Sequence, residues 1–163
     1  MTNIPSGDKW IHFKVEDLIE QNRIFIGDGY RAKRKEFGPT GIPFARVSNI
    51  NEGFNLIDTD LFPLKDLHKV GDKVSQPGDS VFTSKGTVGR FAFVKDDTPI
   101  FVYSPQFSYW RVLDLDLIEP RFLFYWLQGR EFLGQSNSVK GQTDMADYVS
   151  LRDQRRMYIT LPP

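Results

Sequence analysis

The chain has 163 residues, enough for one domain with a sizeable hydrophobic core and no need of staples. At 40% hydrophobic and 26% charged it is neither disordered nor fibrous, and without cysteine it can form neither a disulfide nor a thiolate metal site. Lys plus Arg equals Asp plus Glu at 21 each, so net charge announces no nucleic-acid partner, and such a partner would need a locally segregated positive surface. No basic start followed by an apolar run opens the chain, and no stretch nears the ~20 apolar residues that cross a bilayer. This predicts a cytoplasmic protein with no membrane contact. His12 and His68 are the only imidazoles and stand far apart, so no structural metal is expected.

In chain order, Trp10, Phe13, Val15, Leu18 and Ile19 follow a helical spacing and predict a short amphipathic helix. Short β-rich runs follow at 23–26, 44–50, 80–83, 90–95, 100–103 and 107–113, separated by Gly, Pro, Asn and Asp. Positive charge gathers at Arg31, Lys33, Arg34 and Lys35, whereas Asp58, Asp60, Asp66 and Asp72 dominate 58–72 against Lys65 and Lys69. Along the last run, Phe107, Tyr109, Arg111 and Leu113 alternate with Ser108, Trp110 and Val112. Both faces therefore carry aromatics, and Arg111 is expected at an edge or on a functional face.

Glu119-Pro120 opens a predicted helix whose residues 122–127 are almost all apolar, so it should be largely buried. Gly134 and the polar 135–143 predict a loop. Ser150-Leu-Arg-Asp153 reads as a capping box before a short helix, and 157–161 as a final strand ending at Pro162-Pro163. A chain stopping directly after a strand and two prolines is expected to be a piece of something longer. The whole is α+β: one domain over residues 1–163, a mostly antiparallel twisted sheet with a few short flanking helices.

Phe25-Ile-Gly-Asp-Gly29 matches a Phe-x-Gly-x-Gly that binds S-adenosylmethionine, but the chain then breaks at Gly38-Pro39 instead of running on as the helix of a βαβ unit. The only Pro-Pro follows Leu161, not the Asp or Asn that an amino-methyltransferase needs. A metal-dependent nuclease built on Asp79 and Lys85 would need a second acid two residues before the lysine, where Thr83 stands. With no Ser-His-Asp order and no phosphate-binding Gly-x-x-x-x-Gly-Lys-Ser/Thr, catalysis is not expected. The pattern predicts a binding module.

The segment Asp79-Ser-Val-Phe-Thr-Ser-Lys-Gly-Thr-Val-Gly89-Arg90 supplies that module's most suggestive chemistry. An apolar strand runs into a loop where Gly86 and Gly89 free the backbone, Thr83, Ser84 and Thr87 offer hydroxyls, and Lys85 and Arg90 offer charge. A glycine turn between two strands would look the same. Other side chains suited to base edges or phosphates are Arg46, Ser48, Asn49 and Asn51, then Gln106, Tyr109 and Arg111, then Lys140, Gln142 and Thr143. Plain loop polarity would look the same, because Asn and Ser are common turn formers in any sheet protein.

Four stretches together resemble the target recognition domains in the DNA specificity subunit of type I restriction-modification systems. They are Gly29-Tyr30 before the basic cluster, Gly41-Ile-Pro-Phe-Ala-Arg-Val-Ser-Asn-Ile50-Asn-Glu-Gly53, Gly78 to Gly89, and Ser104-Pro-Gln-Phe-Ser-Tyr-Trp-Arg-Val112. Residues 122–127, Gly141-Gln-Thr-Asp-Met-Ala146 and Ile159-Thr-Leu-Pro-Pro163 are similar to the close of such a domain, where Pro-Pro leads into a spacer helix that this sequence lacks after Pro163.

The resemblance implies double-stranded DNA recognition of one half of a bipartite target by a non-catalytic subunit. It implies methyltransferase subunits and a restriction motor subunit as partners, with S-adenosylmethionine, ATP and Mg²⁺ held by those partners and no cofactor in this chain. Family roles carry over most directly to 83–90 and to 46–51. The rival expectations are an RNA-binding or protein-binding sheet module and, less favoured, a nuclease or methyltransferase fragment. Exposed aromatics at Phe107, Tyr109 and Trp110 would favour unpaired bases, and buried ones duplex reading by polar loops.

Overall fold

The computed structural model describes residues 9–51, 53–85, 89–139 and 149–163. Its centre is a four-stranded antiparallel sheet of β2 (Ile24–Asp28), β5 (Ser80–Thr83), β6 (Phe91–Phe93) and β8 (Phe107–Val112), in the order β2-β8-β5-β6. Against it stands a three-stranded sheet of β3 (Ile42–Ala45), β4 (Leu61–Phe62) and β7 (Val102–Tyr103), in which β3 and β7 run parallel. β1 (Ile11–Lys14) pairs with β9 (Tyr158–Leu161), which brings the two ends of the described chain together.

The alternation along β8 decides the layering. Trp110 points with Ile24, Ile26 and Phe82 into a core closed by Leu18 of α1 (Val15–Glu20), Leu123 of α2 (Pro120–Trp126), Phe132 of α3 (Arg130–Val139) and Ile159 of β9. Phe107 and Tyr109 point the other way, with Val81 and Ala92, onto Ala45 and Tyr103 of the three-stranded sheet. A strand covered on both sides has apolar residues at both phases of its alternation, which explains the aromatics on both faces.

The α+β expectation holds: short helices flank sheets that are antiparallel apart from β3 and β7. Several elements differ from the sequence expectation. Residues 11–14 are strand, and the helix begins only at Val15, because pairing with β9 claims the first part of the apolar pattern. β3 ends at Ala45 and a 3₁₀ turn, Val47–Asn49, follows where a strand to residue 50 was expected.

α2 buries only Leu123 and Trp126 from within its span, with Tyr125 exposed, so it is half-buried despite its composition. The expected loop from Gly134 is instead the helix α3, at least to Val139, anchored by Phe132 and Ser136. The expected cap of α4 (Leu151–Arg155) is present: Ser150 Oγ accepts from the Asp153 amide at 3.0 Å. Ser150→Ala should cost about 1 kcal/mol and lower the urea midpoint without changing the slope.

Candidate nucleic-acid interface

β5 and β6 pair up to Phe82 and Phe91, and Thr83, the last residue of β5, still pairs with Phe107 of β8, so the chain leaves the sheet after Thr83 and re-enters it at Phe91. The loop neck closes on Thr83: its amide donates to the Arg90 carbonyl at 3.0 Å, its Oγ1 accepts from the Arg90 amide at 3.0 Å, and its carbonyl accepts from Gly89. Gly89 has φ +105°, a conformation that side chains disfavour, so glycine there shapes the turn. Arg90 itself is exposed, and its Nη1 lies 3.4 Å from the Val47 carbonyl.

That contact joins the 83–90 neck to the segment after β3. There Asn49 accepts from the Arg46 amide at 2.7 Å and donates to the Asn55 carbonyl at 2.9 Å, locking the turn and leaving Ser48 and Asn51 exposed. Ser48, Ile50, Asn51, Arg90 and Phe91 line an open depression of about 660 Å³. The Gln106 carbonyl accepts from the Ser84 amide at 2.9 Å, which puts the exposed Gln106 beside the same neck at the start of β8. Thus parts of three expected groups, 46–51, 83–90 and Gln106, meet at one end of the central sheet.

Arg46 stands at the border of this region. Its guanidinium lies 4.9 Å from the Phe44 ring centre and 5.4 Å from that of Phe37, and it pairs with Asp60 at 2.8 Å. The basic cluster Arg31, Lys33, Arg34 and Lys35 is exposed on the side of the three-stranded sheet, with Phe37 packed on Phe44 behind it. Glu36 anchors its turn, accepting from the Lys33 amide and from the Tyr30 hydroxyl. The Lys33 amide, then the Tyr30 hydroxyl, hold the Glu36 carboxyl below its usual pKa. Lys35 and Lys65 line one depression of about 620 Å³. In the sequence Lys65 falls in the acidic stretch, and only the fold brings it to the basic turn.

Four expected contact residues are internal. Tyr109 is 1% exposed, stacked on Tyr103 at 4.4 Å and donating to the Asp72 carbonyl. Arg111 lies on a central strand rather than an edge and grips buried Asp79 through Nε at 2.7 Å and Nη2 at 2.9 Å. Thr83 and Ser84 are buried because their hydroxyls bond within the fold. Gly86, Thr87, Lys140, Gln142 and Thr143 lie outside the described residues. Ile50 and Phe91, the depression's apolar walls, are not among the expected contact residues, although Phe91 directly follows Arg90.

Asp79 also accepts from the Tyr103 hydroxyl at 2.8 Å and from the Gln76 amide at 3.0 Å. Burial, then the charge and hydrogen bond of Asp79, raises the Tyr103 phenol well above its usual range. Burial alone would lower the Arg111 guanidinium, but Asp79 outweighs it and the net shift is upward. Among the described residues no group of His, Asp and Glu could hold a metal ion, and no helix is long and apolar enough to cross a membrane.

No family model and no curated protein matches this chain. Solved structures do. A chain from a structure concerned with complex assembly and conformational transition of the type I R-M system superposes with TM-score 0.66 at 17% identity, over 99% of this chain and 35% of its own. The HsdS subunit from Thermoanaerobacter tengcongensis gives TM-score 0.65 at 19% identity, over 99% of this chain and 34% of its own. The fold is that of type I restriction-modification S subunits. The S subunit from M. genitalium agrees, with TM-score 0.58 at 11% identity over 98% of this chain and 36% of its own. The chain thus spans about a third of the length of the S-subunit structures it matches. The Phe-x-Gly-x-Gly segment has a structural role in this fold: Gly27 faces the Tyr109 hydroxyl and Gly29 the Ser104 carbonyl, so both glycines permit close packing.

Proposed function

We propose that the chain is a non-catalytic recognition domain that reads one half of a bipartite duplex-DNA target for a type I restriction-modification methyltransferase and endonuclease. The observation that carries this reading is the convergence of Ser48, Asn51, Arg90 and Gln106 on one end of the central sheet. Such a surface offers an arginine for phosphate or guanine and amides for adenine edges. Burial of Phe107, Tyr109 and Trp110, each at most 1% exposed, supports polar duplex reading over base stacking. The basic cluster at 31–35 supplies a second, sequence-independent hold on the phosphate backbone. Methylation and cleavage belong to partner subunits in this reading, with S-adenosylmethionine, ATP and Mg²⁺ bound there.

The test places this domain in a full-length S subunit, assembles it with methyltransferase subunits and maps adenine methylation genome-wide. A new split motif, one half of which follows this domain, is the expected result. A folded, assembled complex that methylates no new motif would overturn the reading and favour an RNA- or protein-binding module. Within such a complex, Lys85→Ala should weaken binding to all duplexes and lower the salt slope by about 1. Gln106→Ala should instead relax discrimination at one position by about 1–3 kcal/mol. Equal losses on every duplex from both variants would contradict that division of roles.

A further inference from the structure

A chain of buried hydrogen bonds runs from the helical side of the core to the neck of the 83–90 loop. Gln154 on α4 is fully buried, and its Oε1 accepts from Trp110 Nε1 at 2.8 Å. Its Nε2 donates to Ser108 Oγ at 2.9 Å and to the Val149 carbonyl at 3.1 Å. Ser108 Oγ in turn donates to Ser84 Oγ at 2.9 Å. The Ser84 amide donates to the Gln106 carbonyl, and the Ser84 carbonyl accepts from the Val149 amide at 3.0 Å.

Ser84 is thereby held from three directions, by β8, by the turn before it and by the segment entering α4. A glutamine amide suits the central place because it donates and accepts at once, and each neighbour uses one of those capacities. The direct neighbours of the junction are Lys85 and Gln106, which the proposed function assigns to phosphate and base contact. Neither Gln154 nor Ser108 reaches the surface to touch a ligand.

From this geometry we infer that Gln154 is a positioning residue for duplex discrimination: through Ser108 and Val149 it fixes Ser84, and with it the placement of Lys85 and Gln106. The inference rests on the proposed function for its consequence, but its mechanical part stands on the hydrogen bonds alone. Base reading requires donors and acceptors placed to within a fraction of an ångström, whereas phosphate attraction tolerates small displacements. Loosening the junction should therefore lower discrimination more than it lowers affinity for arbitrary duplex.

The test uses the full chain with Ser108→Ala, which cuts the link but leaves the Gln154 to Trp110 bond, and with Gln154→Met, which removes the hub at similar volume. Leu161→Ala, in the β1 and β9 pair and with no side-chain part in the hydrogen-bond chain, serves as a destabilised control. Amide hydrogen exchange at Ser84 and Val149, measured well below each melting point, should accelerate about 10-fold in both junction variants beyond the control. The ratio of affinity for duplexes selected from a pool with a randomised centre to that for the unselected pool should fall by a similar factor. The salt slope should stay unchanged.

Unaltered exchange at Ser84 and Val149 in both variants overturns the inference. Accelerated exchange with undiminished discrimination also overturns it, leaving the hydrogen-bond chain a purely structural one. If the unmodified chain selects no duplex while the exchange result is as expected, the proposed function fails and only the mechanical link survives.

Discussion

Asp79→Ala is expected to destabilise the domain by about 3–5 kcal/mol, the range for removing one partner of a buried ion pair. Asp79 is fully buried and accepts from Arg111, Tyr103 and the Gln76 amide. Its loss leaves the Arg111 guanidinium without a counter-charge in the space between the two sheets and the Tyr103 hydroxyl without its acceptor. Arg111 retains the Val74 carbonyl, at 2.9 Å from Nη2, which offsets only part of the cost. For a chain of this length each kcal/mol lowers the melting temperature by about 2–4 °C, so a fall of roughly 10 °C should appear in a thermal melt.

The double variant Asp79→Leu with Arg111→Met separates the pair's net worth from the cost of orphaning a charge. Replacing a whole buried pair by apolar side chains of similar volume is often close to neutral. The double variant should thus be more stable than Asp79→Ala alone, and a thermodynamic cycle should show strong coupling. A melting point for Asp79→Ala within a degree or two of the unmodified protein would contradict the buried bidentate geometry.

The same residue shows where the sequence was legible and where it was not. Local signals were strong enough to place β5, β8, the α2 start at Glu119-Pro120 and the Ser150 cap, each set by residues adjacent in the chain. The alternation along β8 was also legible, but its meaning depended on what covers each face. Arg111 in an alternating run fits an edge as well as an interior ion pair, and the choice rests on Asp79, 32 residues away. Thr83 and Ser84 fail as contacts for a related reason: a hydroxyl in a loop motif can face a ligand or close its own turn, and here Arg90 and Ser108 claim them. α3 was missed because Gly134 and a run of polar side chains signal a loop, whereas Phe132 and Ser136 anchor that segment to the core. Of the candidate interface, the members were legible as polar loops; their meeting at one end of the sheet was not, because it depends on strand order.

Gly29→Ala should be far more damaging than Gly27→Ala, costing about 3 kcal/mol, the upper part of the range for overpacking. A Cβ at Gly29 would stand 1.8 Å from the Ser104 carbonyl oxygen and 2.6 Å from that of Tyr103, so backbone rather than a flexible side chain must move. The crowding has a purpose in the fold: the next amide, Tyr30, donates to the Tyr103 carbonyl at 2.7 Å, stitching the end of β2 to the three-stranded sheet. Gly27→Ala meets the Tyr109 hydroxyl at 2.6 Å, the far end of a side chain that can shift, and should cost less. This ranking distinguishes a packing role from a cofactor loop, where both glycines would matter for ligand binding and neither need lower the stability of the empty protein. Gly29→Ala should shift the urea midpoint downward well beyond Gly27→Ala, with or without S-adenosylmethionine. Equal midpoints, or a shift seen only in the presence of that cofactor, would reverse the assignment and return the Phe25 to Gly29 segment to ligand binding.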